Sequence, residues 1–200
     1  IIGMTNLPSH YTIGRPYING FKHIRLALGY HPLYAANHRE QVPLFISQSK
    51  TTSYIGEIGL DFSKDGIGIK EEQIHLLVDI LSNVDTKKKL LSVHSRSAER
   101  EVLDCLKNFK VKNVIFHWYS GPIKLIPEII NQGYYFSVNE SMILSKKGQT
   151  IIGHISTDRI LTETDAPYNK HCSLIKINEY LISRKVDVRK NFDTLINKIR

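Results

Sequence analysis

The stretch SYIGEIGLD, residues 53–61, decides the fold. It is an apolar run of strand length that ends on a carboxylate, Glu57, beside a glycine. Three further stretches have the same form: LLSVHSR (90–96), NVIFHWYSG (113–121) and RILTETDAPY (159–168). Each apolar run reads as a buried parallel strand. Each gives way to a polar residue where the strand should end: Glu57, His94, His117 and Asp165. A loop and then a helical pattern follow. In a β/α barrel such strand ends converge on one face, where the chemistry lies. Glu, two His and Asp meeting at one point make a divalent-metal ligand set.

Seven strand candidates are visible: 1–5, 24–29, 54–60, 90–94, 114–117, 134–138 and 160–162. Helical spacing lies between them. Ile74, Leu77, Val78 and Leu81 fall at i, i+3, i+4 and i+7, and so do Val102, Cys105, Leu106 and Phe109. Ile123, Ile126, Ile129 and Ile130 repeat the spacing, with Gly133 placed as a helix terminator. A last stripe runs from Val188 to Ile199, with Asp187 placed to cap it. Strands separated by helices imply βαβ units and a parallel sheet. No linker or repeat divides residues 1–200, so a single domain is expected. Its fold class is α/β, a (β/α)8 TIM-like barrel. The chain opens inside an apparent strand, IIGMT, so one barrel strand is expected before Ile1. The competing architecture is an open doubly wound sheet, which needs a glycine-rich phosphate loop after an early strand. None is present.

Composition narrows the partners. A 42% hydrophobic and 23% charged content is ordinary for a globular protein. Lys and Arg exceed Asp and Glu, for a net charge of +8. Such a surplus favours an anionic partner such as nucleic acid, or else serves solubility alone. The two cysteines, Cys105 and Cys172, form no metal-binding pair. Their scarcity suits a reducing compartment and a cytoplasmic location. No apolar run is long enough for a membrane span. The basic run 87–89 reads as solvated.

Each candidate site residue has a bland alternative. Glu57 either approaches a metal, bridging two ions, or pairs with a basic neighbour. His94 is a ligand or a structural histidine. Ser95 is placed as a helix N-cap, and Arg96 clamps a phosphate or pairs with an acid. Trp118 and Tyr119, after His117, stack on bases or pack the barrel mouth. Asp165 binds metal and takes a proton from the attacking water, with Glu163 behind it as support. His31, in ALGYHP (27–32), faces substrate or caps the next helix. The other histidines, His171 among them, show no ligand spacing.

Taken in order, ALGYHP, GEIGLDF, VHSR, FHWYSG and ETDAPY resemble the TatD family of metal-dependent deoxyribonucleases, members of the amidohydrolase-like superfamily. The resemblance implies hydrolysis of DNA phosphodiester bonds, as an exonuclease. It implies two divalent ions (Mg, Mn or Zn). Glu57 would bridge them, His94 and His117 would complete one site, and Asp165 the other. Glu57 and Asp165 would be catalytic, and His31 and Arg96 would line the phosphate path. The stretch MTNLPS (4–9) resembles TatD-like nucleases of Qat-type anti-phage systems, which implies defence-system protein partners besides DNA. The family's His-x-His pair, at the end of its first strand, does not occur in residues 1–200. Residues 1–200 alone are therefore expected to cleave little. The alternatives are a metal-dependent amidohydrolase acting on a small amide or lactone, and a non-catalytic nucleic-acid-binding barrel.

Overall fold

The structure is a computed structural model, and it describes residues 1–168, 170 and 172–199. His171 lies outside the described residues. The chain divides into two compact units, 1–114 and 115–198.

In the first unit strands and helices alternate: β1 (Ile2–Gly3), α1 (Pro8–Ile18), β2 (Arg25–Leu26), α2 (Val42–Ser49), β3 (Tyr54–Gly59), α3 (Lys70–Asn83), β4 (Leu90–His94) and α4 (Glu99–Asn108). The pairings are parallel. β1 runs beside β2 in the register Ile2 with Arg25, and a bridge from Leu28 to Ile55 links the chain after β2 to β3. β3 pairs with β4, Tyr54 opposite Leu90 and Gly59 opposite His94. Parallel strands need a crossover, and the amphipathic helices supply it. α3 buries Leu76, Leu77, Ile80 and Leu81, and α4 buries Val102, Leu103 and Leu106.

The second unit continues the pattern. It holds β5 (Val114–Phe116), which starts at the boundary, α5 (Ile126–Asn131), β6 (Tyr135–Val138), α6 (Glu140–Leu144), α7 (Lys146–His154), β7 (Ile160–Thr162), α8 (Leu174–Ser183) and α9 (Val188–Ile196). β5, β6 and β7 pair in chain order, Phe116 opposite Phe136 and Phe136 opposite Ile160. Both β5 and β6 carry buried residues in succession, as expected where both faces of a parallel sheet are covered. Phe116 sits 6.0 Å from Phe136, and Tyr119 meets Phe136 edge-on at 5.4 Å. Such offset and edge-on pairs add to burial.

All seven expected strands are present. Asp187 caps α9, its carboxylate accepting from the Lys190 N–H at 2.9 Å. Gly133 follows α5 with φ +79°, a conformation that favours glycine. Two local readings need correction. Ser95 is not an N-cap: its carbonyl accepts from Ala98 N–H, and α4 starts one turn later with Ala98 in the cap position. Lys89 is not merely solvated. Its ammonium donates to the Ser49 and Thr52 carbonyls, at 2.6 and 2.7 Å, and so closes the end of α2. No helix among the described residues is long and apolar enough to cross a membrane.

Candidate metal centre

Glu57 owes its position to a bulge in β3. Between the pairs Ile55–Leu91 and Ile58–Val93 the register shifts, so Gly56 and Glu57 face Ser92 alone. A bulge re-aims a side chain. Main-chain bonds hold this one: Thr5 N–H donates to Gly56 O, Glu57 N–H to Thr5 O, and Tyr30 N–H to Glu57 O. The bulge requires glycine at 56, where a Cβ would stand 2.8 Å from Met4 Sδ and 2.9 Å from Ser92 Cβ. Thr5 fits only because residue 29 is also glycine, since a Cβ there would lie 1.4 Å from Thr5 O.

His94 is the last residue of β4. Its Nδ1 lies 2.8 Å from Glu57 Oε1 and its Nε2 2.9 Å from Asp61 Oδ2. Asp61 is 1% exposed and also accepts from the Ser63 N–H at 2.9 Å. A carboxylate fixed behind one ring nitrogen sets the tautomer and leaves the other nitrogen for a metal. Here Asp61 takes Nε2–H, so Nδ1, facing Glu57, is the ligand atom. His31 stands beside them, its ring 4.7 Å from the His94 ring. One ligand-type atom from each of His31, Glu57 and His94 lies within 4.8 Å of the others. His31 also caps the short turn that follows it, Nδ1 accepting from Leu33 N–H at 3.3 Å. Of the two roles expected for His31, the cap is thus observed, and the ring also stands beside His94.

Burial alone would lower the His94 pKa. The hydrogen bonds and charges of Asp61 and Glu57 outweigh it and raise the ring to about 9. Burial alone would raise the Asp61 carboxyl. The bonds from His94 and Ser63 outweigh that and hold it well below the usual carboxylate range. The metal-free group is thus an imidazolium between two carboxylates. A divalent cation suits the same place, because two anions already surround one exchangeable positive charge.

A pH dependence follows. Proton and ion compete for Nδ1, so metal affinity should rise about tenfold per pH unit while the ring is protonated. It should level off above about 9. Stability of the metal-free protein runs the other way. The contribution of a raised histidine pKa is full below the ordinary 6.5 and is lost as pH rises through about 9. Calorimetric metal titrations and thermal melts across this range check both signs. A pH-independent affinity would contradict the competition.

The second unit holds a group of the same form. His117 follows β5, its Nδ1 2.6 Å from Glu163 Oε2 and its Nε2 3.4 Å from Asp165 Oδ1. Glu163 is held in turn by the Ser137 hydroxyl and by Asn139 Nδ2, the latter at 2.9 Å. So Glu163 orients the ring while Nε2 faces Asp165. Asp165 has φ +53°, a conformation Asp tolerates better than most residues.

Other candidates fall elsewhere. Arg96 is exposed and paired with Asp65 at 3.0 Å. Tyr119 is 1% exposed and donates its hydroxyl to Pro122 O, so its place is in the core. Trp118 is half-buried. Asp61, Ser137 and Asn139 were not singled out from sequence. A signal existed for two of them: Ser137 and Asn139 alternate at the end of an apolar run, whereas Asp61 lies past the strand end as an ordinary loop acid.

Comparison with known proteins gives the lineage. The family model described as TatD related DNase matches residues 4–190. An uncharacterized metal-dependent hydrolase of Methanocaldococcus jannaschii is 31% identical over 149 residues, 72% of this chain and 58% of that protein. The deoxyribonuclease TATDN3 of Homo sapiens is 29% identical over 163 residues, 74% of this chain and 59% of its own length. The chain therefore spans less than two thirds of these relatives. Among solved structures, the TatD homologue YJJV of Escherichia coli K12 superposes with a TM-score of 0.72 at 17% identity, covering 99% of this chain and 83% of that one. The fold is thus the α/β barrel-type hydrolase fold rather than the doubly wound sheet. With that match covering residues 4–190 of 200, the chain belongs to the TatD-related DNase family.

Proposed function

We propose that the whole protein carries out metal-dependent hydrolysis of DNA phosphodiester bonds, releasing nucleotides from strand ends, with residues 1–200 supplying part of its site. The observation that carries this reading is the His31–Glu57–His94 group, with Asp61 fixing the His94 tautomer. Family membership and the net charge of +8 support it. Glu57 and His94 hold the ion, and His31 completes its surroundings. His117 and Asp165 serve the same reaction, within a single barrel domain that binds two ions. Mixed imidazole and carboxylate donors suit Zn or Mn, and Mg to a lesser degree.

When bound, divalent ions supply an acidified water and neutralise charge on the phosphoryl oxygens. The residues of the chain do the rest. Asp61 keeps the His94 ring oriented and its Nδ1 directed at Glu57. Asp165 accepts the proton of the attacking water, and His117, its Nδ1 held by Glu163, would offer Nε2 to an ion beside Asp165. His31, with Nδ1 accepting from Leu33 N–H, sets its ring beside His94 at the edge of the same group.

The test is a time course on end-labelled DNA, with Mn²⁺ and with chelator, for the chain extended by a strand that ends in His-x-His and for Asp165→Asn in that extended chain. Metal-dependent release of mononucleotides, lost in the variant, is the expected result. Cleavage unaffected by chelator would overturn the reading. Hydrolysis of small amides or lactones with no action on DNA would favour the amidohydrolase alternative.

A further inference from the structure

The first 39 residues contain no Asp or Glu, yet they carry Arg15, Lys22, Arg25 and Arg39. Two of these arginines border a cleft of about 560 Å³ formed by α1, the turn into β2, and α2. No acidic residue lines it. It is separate from the metal group: Arg25 enters β2, whereas His31 follows the other end of that strand.

The lining combines three kinds of side chain. Arg15, in the last turn of α1, is exposed and makes no hydrogen bond or ion pair among the described residues. Arg25 is fixed by Nη1, which donates to the carbonyls of Phe21, Lys22 and Ile24 at 3.4, 3.1 and 2.8 Å. Its Nε and Nη2 have no partner among the described residues, so a held guanidinium keeps donors for an anion. Phe21 is 57% exposed at the cleft, while Tyr11 is buried in its wall.

Gln48 adds a third feature. Its Nε2 donates to the Thr12 hydroxyl. The Thr12 hydroxyl already donates to Pro8 O, which sets the orientation of the Gln48 amide. Its Oε1 is left buried without a donor among the described residues. A buried acceptor without a partner is costly and calls for a donor from outside.

Guanidinium donors, an exposed aromatic face and an orphan acceptor together match a phosphate, a base plane and a base N–H. We propose that this cleft binds one nucleotide unit of single-stranded DNA, with Phe21 stacking on the base, Gln48 Oε1 accepting from its edge, and Arg15 and Arg25 taking the flanking phosphate. The choice of DNA as the polyanion rests on the function proposed above, but the binding itself needs no metal. Aromatic stacking with a basic lining is the common form of single-strand recognition.

The experiment is fluorescence anisotropy with a labelled thymidine oligonucleotide of about 12 residues, in chelator, so that no cleavage intervenes. Phe21→Ala should weaken binding about tenfold. Arg15→Glu, at a side chain without partners, should weaken it and flatten the salt dependence by about one unit of slope. If both cleft variants bind like the parent, the inference fails. If inorganic polyphosphate displaces the oligonucleotide equally well and Phe21→Ala has no effect, the cleft is a charged patch only and the inference is overturned. These outcomes are independent of the cleavage assay. Metal-dependent cleavage with unaltered variants removes the cleft alone, and oligonucleotide binding without cleavage removes the catalytic reading alone.

Discussion

Glu57→Gln will abolish metal binding at the His31–Glu57–His94 group and slow metal-dependent cleavage about 10³-fold. The size follows from the several kcal/mol that a bound ion contributes to stabilising transition-state charge, with each 1.36 kcal/mol worth a factor of ten. Glutamine keeps the shape of the side chain but removes its charge and offers an amide where a ligand oxygen stood. The fold should survive, because the bulge is held by main-chain bonds to Thr5 and Tyr30 rather than by the Glu57 side chain. The variant should also lose one of the two carboxylates that hold the His94 pKa up, so the ring should titrate lower. Calorimetry with Mn²⁺ and a melt of the metal-free variant separate the two effects. A native melt with no metal binding is expected, and undiminished affinity would mean that Glu57 is not a ligand.

The second large effect lies behind His94. Asp61→Asn should cost about 10- to 100-fold in metal affinity, the usual range for a residue that orients a metal-bound imidazole. Asp61 supplies both orientation and charge from a fully buried position, 2.9 Å from Nε2. Its loss has two consequences of opposite sign. The ring becomes a weaker ligand, but it also becomes a weaker base, so the proton competes less well for Nδ1. The loss of affinity should therefore be greatest above about pH 9 and smaller near neutrality. A residue that merely packed against the site would lower affinity equally at all pH values. Parallel affinity–pH curves for parent and variant would thus refute the orienting role.

Much of this was legible in the residues, and the exceptions have physical reasons. The strands were readable because buried parallel strands are continuous apolar runs, and the polar residues that end them stand out sharply. Helices α3, α4, α5 and α9 were readable from their periodic faces. α1 was not, because PSHYTIGRPYI carries Gly14 and Pro16 and buries only Pro8 and Tyr11. α2 and α6 are too short, at 8 and 5 residues, to show a period. α8 was obscured for a different reason: LIKINEYLIS leaves Ile175 and Ile182 exposed, which blurs its stripe.

At the site, Glu57, His94, His117 and Asp165 could be chosen because each interrupts or follows an apolar run. Glu163 could be placed behind a ligand because it shares a strand direction with Asp165. Asp61 could not be chosen the same way. Four residues past Glu57 and beyond the strand end, it reads as an ordinary loop acid, and only the fold returns it to His94. Tyr119 shows the reverse. Beside Trp118 it looked available to a base, but the β5–β6 register turns it onto Phe136 in the core.

The most direct measurement is anomalous scattering from crystals of the protein grown with Mn²⁺. A peak bonded to Glu57 Oε1 and His94 Nδ1, with Asp61 still on His94 Nε2 and His31 alongside, is the expected result. A peak that lies elsewhere, or density in which Nδ1 keeps its bond to Glu57 with no ion between them at saturating Mn²⁺, would contradict the assignment.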